Sequence, residues 1–374
     1  MKLKSIFLSI LLLGSAVPAL AQWQRTPTPN DTLQSVRRLA DGSVVFSIYA
    51  PKARTVALGG EIVPFMSENK PVVTENPNGV WNITLKDVEE GVYRYHFIVD
   101  GVQVDDPKGE IASEKLGLAH IDDGNSFFSM KDVPHGAISQ RYYFSKPLKK
   151  YRRMHVWTPA GYETSKKKLP VLYLVHGGGD TDSGWATVGC AGFILDNLLA
   201  EGKIEPMIVV MPNGSIRAQK RDMSDQMRNF TDDMMQSVIP FVESNYRVLT
   251  DKDHRAMAGL SMGGIQTLEC TLENFEKFGY VFVLSGGFNP NLDYEKEAER
   301  LHLKENAAKI NKTFRIFAHT QGGPNDITHI SGEKTNQIFD KYGIKYEYSE
   351  PYQTGHTWST WRNNLKDLAP RLFK

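Results

Sequence analysis

Residues 256–264 read Ala256-Met257-Ala258-Gly259-Leu260-Ser261-Met262-Gly263-Gly264, a G-x-S-x-G pattern flanked by small residues. An apolar run leads into Ser261, and a helical pattern of Ile265, Leu268, Cys270 and Leu272 leads out of it. Strand, sharp turn and helix are the setting of a nucleophile elbow, where only small neighbours tolerate the strained backbone of the serine. The bare pattern turns up by chance in about one chain in ten of this length, so its weight rests on its surroundings.

Upstream, Leu169-Pro170-Val171-Leu172-Tyr173-Leu174-Val175 is a continuous apolar run, as in a strand buried on both faces of a parallel sheet. It ends in His176-Gly177-Gly178-Gly179-Asp180. Glycines there let the backbone fold back and present free N–H groups at the carboxyl end of a central strand, where open α/β sheets build sites. With an elbow serine downstream, an oxyanion hole is the expected use. Strand patterns at Met207–Pro212, Val281–Leu284 and Phe314–His319 alternate with helical ones at Ile194–Ala200, Phe230–Asn245 and Lys296–Lys309. The fold class expected is α/β, with a doubly wound and mostly parallel sheet in the element order of an α/β-hydrolase. Its first two strands are read at Gln140–Ser145 and Tyr151–Pro159.

An activated serine needs a histidine to take its proton and a carboxylate to hold that histidine. In this order of elements both follow the serine, acid first. Of His302, His319, His329 and His356, the last stands in a loop, Gly355-His356-Thr357-Trp358, between a strand and a final helix. Asp326 follows the strand ending at His319 through Gly322-Gly323-Pro324-Asn325, and is favoured over Asp293, Asp340 and Glu350.

The amino-terminal third has a different texture. Val44–Tyr49, Thr55–Leu58, Trp81–Leu85, Val92–Val99 and Val102–Val104 are short strand patterns punctuated by Asp-Gly and Asn-Gly, as in a small antiparallel sandwich. Trp81, Tyr93 and Tyr95 could stack on sugar rings, but in such a sandwich they belong more often to the core. The turn-rich stretch Asp122–Val133 sets the expected division into residues 22–130 and 131–374.

Residues 1–21 carry Lys2 and Lys4, an apolar run from Ile6 to Leu13 and a terminal Ala19-Leu20-Ala21, which together read as a secretory signal. The run is too short for a membrane anchor, and no cysteine adjoins the cleavage site. The expected location is periplasmic or secreted. The 374-residue chain is 41% hydrophobic and 23% charged, with a formal net charge of +1, so nothing in its bulk charge points to nucleic acid or an acidic membrane. Its two cysteines, Cys190 and Cys270, allow one disulfide, though each also fits a buried free thiol. No His/Cys/Asp cluster has metal-ligand spacing, so neither metal nor cofactor is expected.

Taken together, Thr158-Pro159-Ala160-Gly161-Tyr162, the glycine loop, Ile194-Leu195-Asp196-Asn197-Leu198, Met211-Pro212-Asn213-Gly214, the elbow and Gly355-His356-Thr357-Trp358 resemble the esterase D branch of the α/β-hydrolases, and within it carbohydrate esterase family 1. The sandwich, on Val45–Pro51, Gly79-Val80-Trp81 and Tyr93–Gly101, resembles family 48 carbohydrate-binding modules. The resemblance implies Ser261 as nucleophile, His356 as base, Asp326 as acid, and the N–H groups of Gly178 and Met262 as oxyanion donors. The loop Ala318–Pro324 departs from the family pattern, which makes Asp326 the assignment most in need of geometry. The implied substrate is feruloylated or acetylated xylan or a xylo-oligosaccharide, with feruloyl favoured. An aromatic acyl group calls for an apolar pocket, for which Trp185, Trp358, Trp361 and Gly177 are candidates. The alternatives are acetyl xylan or siderophore ester hydrolysis, acyl transfer, and a non-catalytic polysaccharide-binding protein.

Overall fold

The computed structural model describes residues 26–63, 71–112, 116–216 and 223–374. The expected signal, residues 1–21, lies outside them.

Among the described residues, nine antiparallel strands form the sandwich: β1 (Val36–Arg38), β2 (Val44–Tyr49), β3 (Val56–Gly60), β4 (Val72–Glu75), β5 (Val80–Leu85), β6 (Gly91–Val99), β7 (Val102–Val104), β8 (Glu110–Ala112) and β9 (Leu116–Ile121). One sheet runs β1-β2-β5-β4, the other β3-β6-β9-β8 with β7 paired to β6. Alternation puts Val44, Phe46, Ile83, Tyr95 and Phe97 between the sheets, as a period of two requires. Trp81 and Tyr95 are core residues, and their polar tips find partners in Ala50 O and Asp106.

The second unit is one eight-stranded sheet. Its strands are β10 (Ala137–Ser145), β11 (Lys150–Thr158), β12 (Val171–Val175), β13 (Ile208–Pro212), β14 (Arg255–Leu260), β15 (Tyr280–Leu284), β16 (Ile316–Thr320) and β17 (Glu347–Ser349). Their order is β10-β11-β13-β12-β14-β15-β16-β17, antiparallel at β10 and β11 and parallel from β13 to β17. The order reverses at β12, so a crevice opens at the carboxyl ends of β12 and β14.

The helices are α1 (Ala191–Ala200), α2 (Met223–Asp233), α3 (Ile239–Asn245), α4 (Met262–Glu273), α5 (Tyr294–Arg300), α6 (Leu303–Thr313), α7 (His329–Tyr342) and α8 (Trp358–Leu368). Two apolar clusters cover the two faces of the sheet. One joins it to α2, α3, α4, α6 and α7. The other joins it to α1 and α8 and takes in Val92, Leu118 and Phe128 from the amino-terminal side. The sandwich therefore packs on the α1/α8 face. The segment after it is tied down as well, with Asn197 donating to Phe127 O and Ser129 O and Asp196 accepting from Gly136 N.

Two expectations need correction, and one open alternative closes. The helix read from Phe230 to Asn245 begins by Met223 and widens into a π turn at Met234–Val238. Pro240 lacks an N–H and its ring crowds the carbonyl four residues back, which the wider turn relieves. The helix read from Lys296 to Lys309 is two helices, parted at His302 with φ 51°. That break lets both Leu301 and Leu303 be buried, which one helical period would not allow. Cys190 and Cys270 are free, buried, and in clusters on opposite faces of the sheet, so no disulfide joins them.

Candidate active site

The elbow glycines are dictated by contact. A Cβ on Gly259 would lie 2.1 Å from Gly263 O, and one on Gly263 would lie 2.4 Å from His176 O. With that room, β14 turns into α4 at Ser261, which adopts φ 53° and ψ −120°. Its hydroxyl lies 2.9 Å from His356 Nε2. His356 Nδ1 lies 2.7 Å from Asp326 Oδ1. An ionised carboxylate can only accept, so Nδ1 carries the proton and Nε2 is left to accept from the serine.

Asp326 is buried, and burial alone raises a carboxyl; hydrogen bonds from His356, Ser285 and Thr328 more than offset this and hold it well below the usual carboxylate range. Thr328 contributes both its N–H and its hydroxyl, and Gly322 N donates to the other carboxylate oxygen. Gly322 also lets the acid loop touch the histidine loop, where Gly355 N donates to Gly322 O. The other candidate carboxylates and histidines stand elsewhere. Asp293 caps α5, Asp340 accepts from Tyr346, and Glu350 pairs with His329. His319 is buried against Asn336, and His302 is exposed at the head of α6.

The glycine loop lies beside Ser261. A Cβ on Gly177 would come 2.6 Å from Leu260 Cδ1 and 3.2 Å from Ser261 Cβ, so the loop approaches the elbow closely. A Cβ on Gly178 would stand 3.9 Å from Met262 Cβ. The Met262 N–H is the first of α4 and has no partner within the helix by position. His176 fixes the loop: its Nε2 accepts from Gly214 N at 2.9 Å and its Nδ1 lies 2.8 Å from Gly177 O. Burial lowers the His176 pKa, so the ring is neutral.

Ser261 and His356 open on a cleft of about 860 Å³, a size typical of small-molecule sites. One wall is Gly177, Gly178, Asn325, Trp358 and Trp361; the other is Lys86, Val88, Tyr93 and Arg94 of the sandwich. Of the proposed acyl-pocket residues, Trp358 and Gly177 face this cleft but Trp185 does not. It is 0% exposed, bonded to Val175 O and set edge-on against Trp358. Its loop folds inward beneath the site because a buried indole has its N–H partner there. Trp361 braces the His356 ring edge-on at 5.0 Å.

Two contributors escaped the sequence reading. Ser285, at φ 45°, accepts from Trp361 Nε1 at 3.0 Å and hydrogen-bonds Asp326; the only signal was a serine followed by two glycines at the end of β15. The sandwich wall gave none. Among the described residues, no group of three or more His, Cys, Asp or Glu side chains could hold a metal, and no helix is long and apolar enough to cross a membrane.

Comparison with known proteins adds to this geometry. Residues 145–372 match the esterase family, and residues 33–113 match carbohydrate-binding module 48, the isoamylase N-terminal domain. The endo-1,4-beta-xylanase/feruloyl esterase of Xylanibacter ruminicola is 32% identical over 90% of this chain and 45% of its own length. The endo-1,4-beta-xylanase Y of Acetivibrio thermocellus is 26% identical over 59% of this chain and 22% of its own. The chain thus spans less than half the length of these relatives. Among solved structures, a ferulic acid esterase is 26% identical with a TM-score of 0.54, covering 63% of this chain and 97% of that one. The enterobactin esterase of Shigella flexneri, 17% identical with a TM-score of 0.56, covers 90% and 95% and shares the fold of both units.

Proposed function

Because the chain belongs to the esterase family, we propose that it is a serine carboxylic ester hydrolase releasing ferulic or related hydroxycinnamic acids from xylan side chains. In this reading residues 131–374 form the esterase unit and 22–130 the sandwich unit, and residues 1–21 direct export to the periplasm or beyond. The observation that carries it is the relay Asp326–His356–Ser261 opening on a cleft beside the glycine loop. The feruloyl preference draws on the likeness to the xylanase/feruloyl esterase of Xylanibacter ruminicola and to the 26% identical ferulic acid esterase.

His356 Nε2 takes the Ser261 proton as Oγ bonds to the ester carbonyl carbon. The carbonyl oxygen becomes an anion facing the Gly178 and Met262 N–H groups. One such donor contributes roughly 3 to 4 kcal/mol to the barrier reduction. As the ester C–O bond breaks, His356 returns the proton to the departing sugar oxygen. A water then gives its proton to His356, attacks the acyl carbon, and frees the acid as Ser261 is reprotonated. Asp326, held as an anion, stabilises the imidazolium formed twice in the cycle. Trp358 and the apolar sandwich residue Val88 offer surface for a planar acyl group.

Acid release from feruloylated arabinoxylan and acetylated xylan, with Ser261→Ala as control, tests this. Ferulate from the wild type alone is expected. Acetate alone would keep the mechanism and change the substrate, and neither product would favour a binding protein.

A further inference from the structure

The glycine loop is held from outside its own unit. Arg94 of β6 meets two carboxylates: Glu61, through Nε at 2.9 Å, its backbone N–H at 3.2 Å and Nη2, and Asp180, through Nη1. Asp180 directly follows Gly177-Gly178-Gly179, is 6% exposed, and has its backbone fixed by Ser215 Oγ donating to its carbonyl at 2.9 Å. Among the described residues, the charged and titratable groups that act most on its carboxyl are Arg94 and Glu61 of the sandwich and His176 of its own loop. His176 is neutral, and the neighbouring Asp182 is engaged with Arg153 and His155. Among the described residues, Arg94 is thus the cation paired with a buried carboxylate two residues beyond Gly178.

We propose that Arg94 is a positioning residue for ester hydrolysis: a cation supplied by the sandwich holds ionised Asp180, and through it the loop that presents the Gly178 N–H. The inference rests on the oxyanion role given to that loop. It makes the sandwich part of the catalytic unit even for a substrate with no sugar.

The physics gives a signature that mere docking of the two units lacks. Burial already raises the Asp180 carboxyl, with Arg94 opposing it. Removing Arg94 takes this counter-charge from a buried acid, which is tolerated when the acid is protonated and costly when it is ionised. An acid with a raised folded pKa is content at low pH and loses that favourable state as pH rises through it. The loop of an Arg94→Met variant should therefore hold at acid pH and be drawn out of place towards alkaline pH. Adding Asp180→Asn removes the charge and should restore the loop.

The test is kcat and KM for 4-nitrophenyl acetate, which carries no sugar, from about pH 5 to about pH 9. The proteins are the wild type, Ser261→Ala, Arg94→Met, Arg94→Lys and Arg94→Met/Asp180→Asn. At the alkaline end Arg94→Met is expected to lose about 10- to 100-fold in kcat, somewhat less than removal of an oxyanion donor, with KM within about twofold. The deficit narrows towards acid pH, Arg94→Lys retains part of the activity, and the double variant exceeds Arg94→Met. If Arg94→Met matches the wild type, or if its loss is the same at every pH and Asp180→Asn restores nothing, the inference is overturned and the contact only docks the units. If Ser261→Ala matches the wild type, the serine reading itself falls and takes the inference with it.

Discussion

In the sandwich, Phe46, Trp81, Tyr95 and Phe97 point inward, with Tyr95 meeting Phe46 and Phe97 edge-on, while the charged Arg94 and Glu61 reach the cleft. At the histidine loop the roles differ: Trp358 and Trp361, though buried, line the cleft, and the charged Asp326 is buried against His356. The same residue types thus do different work according to what surrounds them. Rings enclosed on all sides hold two sheets together, and rings at the end of a parallel sheet brace a base. A module-like sandwich can therefore serve catalysis through its edge charges rather than through sugar stacking.

The contrast can be broken by experiment, most severely at Ser261. Ser261→Ala should lower kcat by about 10⁴- to 10⁶-fold while leaving the unfolding transition in place; residual turnover from the sandwich would end the division of labour. Asp326→Asn comes next, about 10⁴-fold in kcat, because an amide no longer fixes the histidine tautomer. With Asp326 held well below the usual carboxylate range, its carboxylate should stay ionised on acidification to about pH 4, and an Asp326 carboxyl signal titrating above that pH would contradict this. Trp81→Ala should destabilise the sandwich by about 3 to 5 kcal/mol in denaturant unfolding. It sharpens the comparison if arabinoxylan binding per folded molecule is unchanged, since a stacking platform would lose binding first. Ser285→Ala removes one hydrogen bond to Asp326, worth about 1.5 to 3 kcal/mol, and should appear as a roughly tenfold or greater loss of kcat with KM held. Smallest of all, a reducing agent should leave the melting temperature unchanged, because Cys190 and Cys270 are unpaired.

What was legible in the sequence is what short-range pattern encodes. The continuous apolar strands, the turn glycines and the loops after β14, β16 and β17 located Ser261, Asp326 and His356, and these are the side chains the fold brings within hydrogen-bond distance. Period alone failed at His302, where tertiary packing buries a leucine on either side, and at Pro240, whose ring and missing N–H widen the turn. Trp185 was misjudged because a loop position says nothing of the direction in which a ring points. The contact between Arg94 and Asp180 spans 86 positions between separate units, and neither residue belongs to a motif that would announce it. Strand β4, fully exposed along its length, shows no alternation to detect.

The backbone of Ser261 at φ 53° and ψ −120° has a consequence for evolution and for engineering. A side-chain-bearing residue in so sparsely populated a conformation gives up on the order of 1 to 3 kcal/mol, and a glycine there would relax much of it. Ser261→Gly should thus melt at a higher temperature than the native chain and hydrolyse nothing. Any selection scheme that rewards heat resistance without asking for turnover would discard the nucleophile early, so thermal improvement of this protein has to be screened on product.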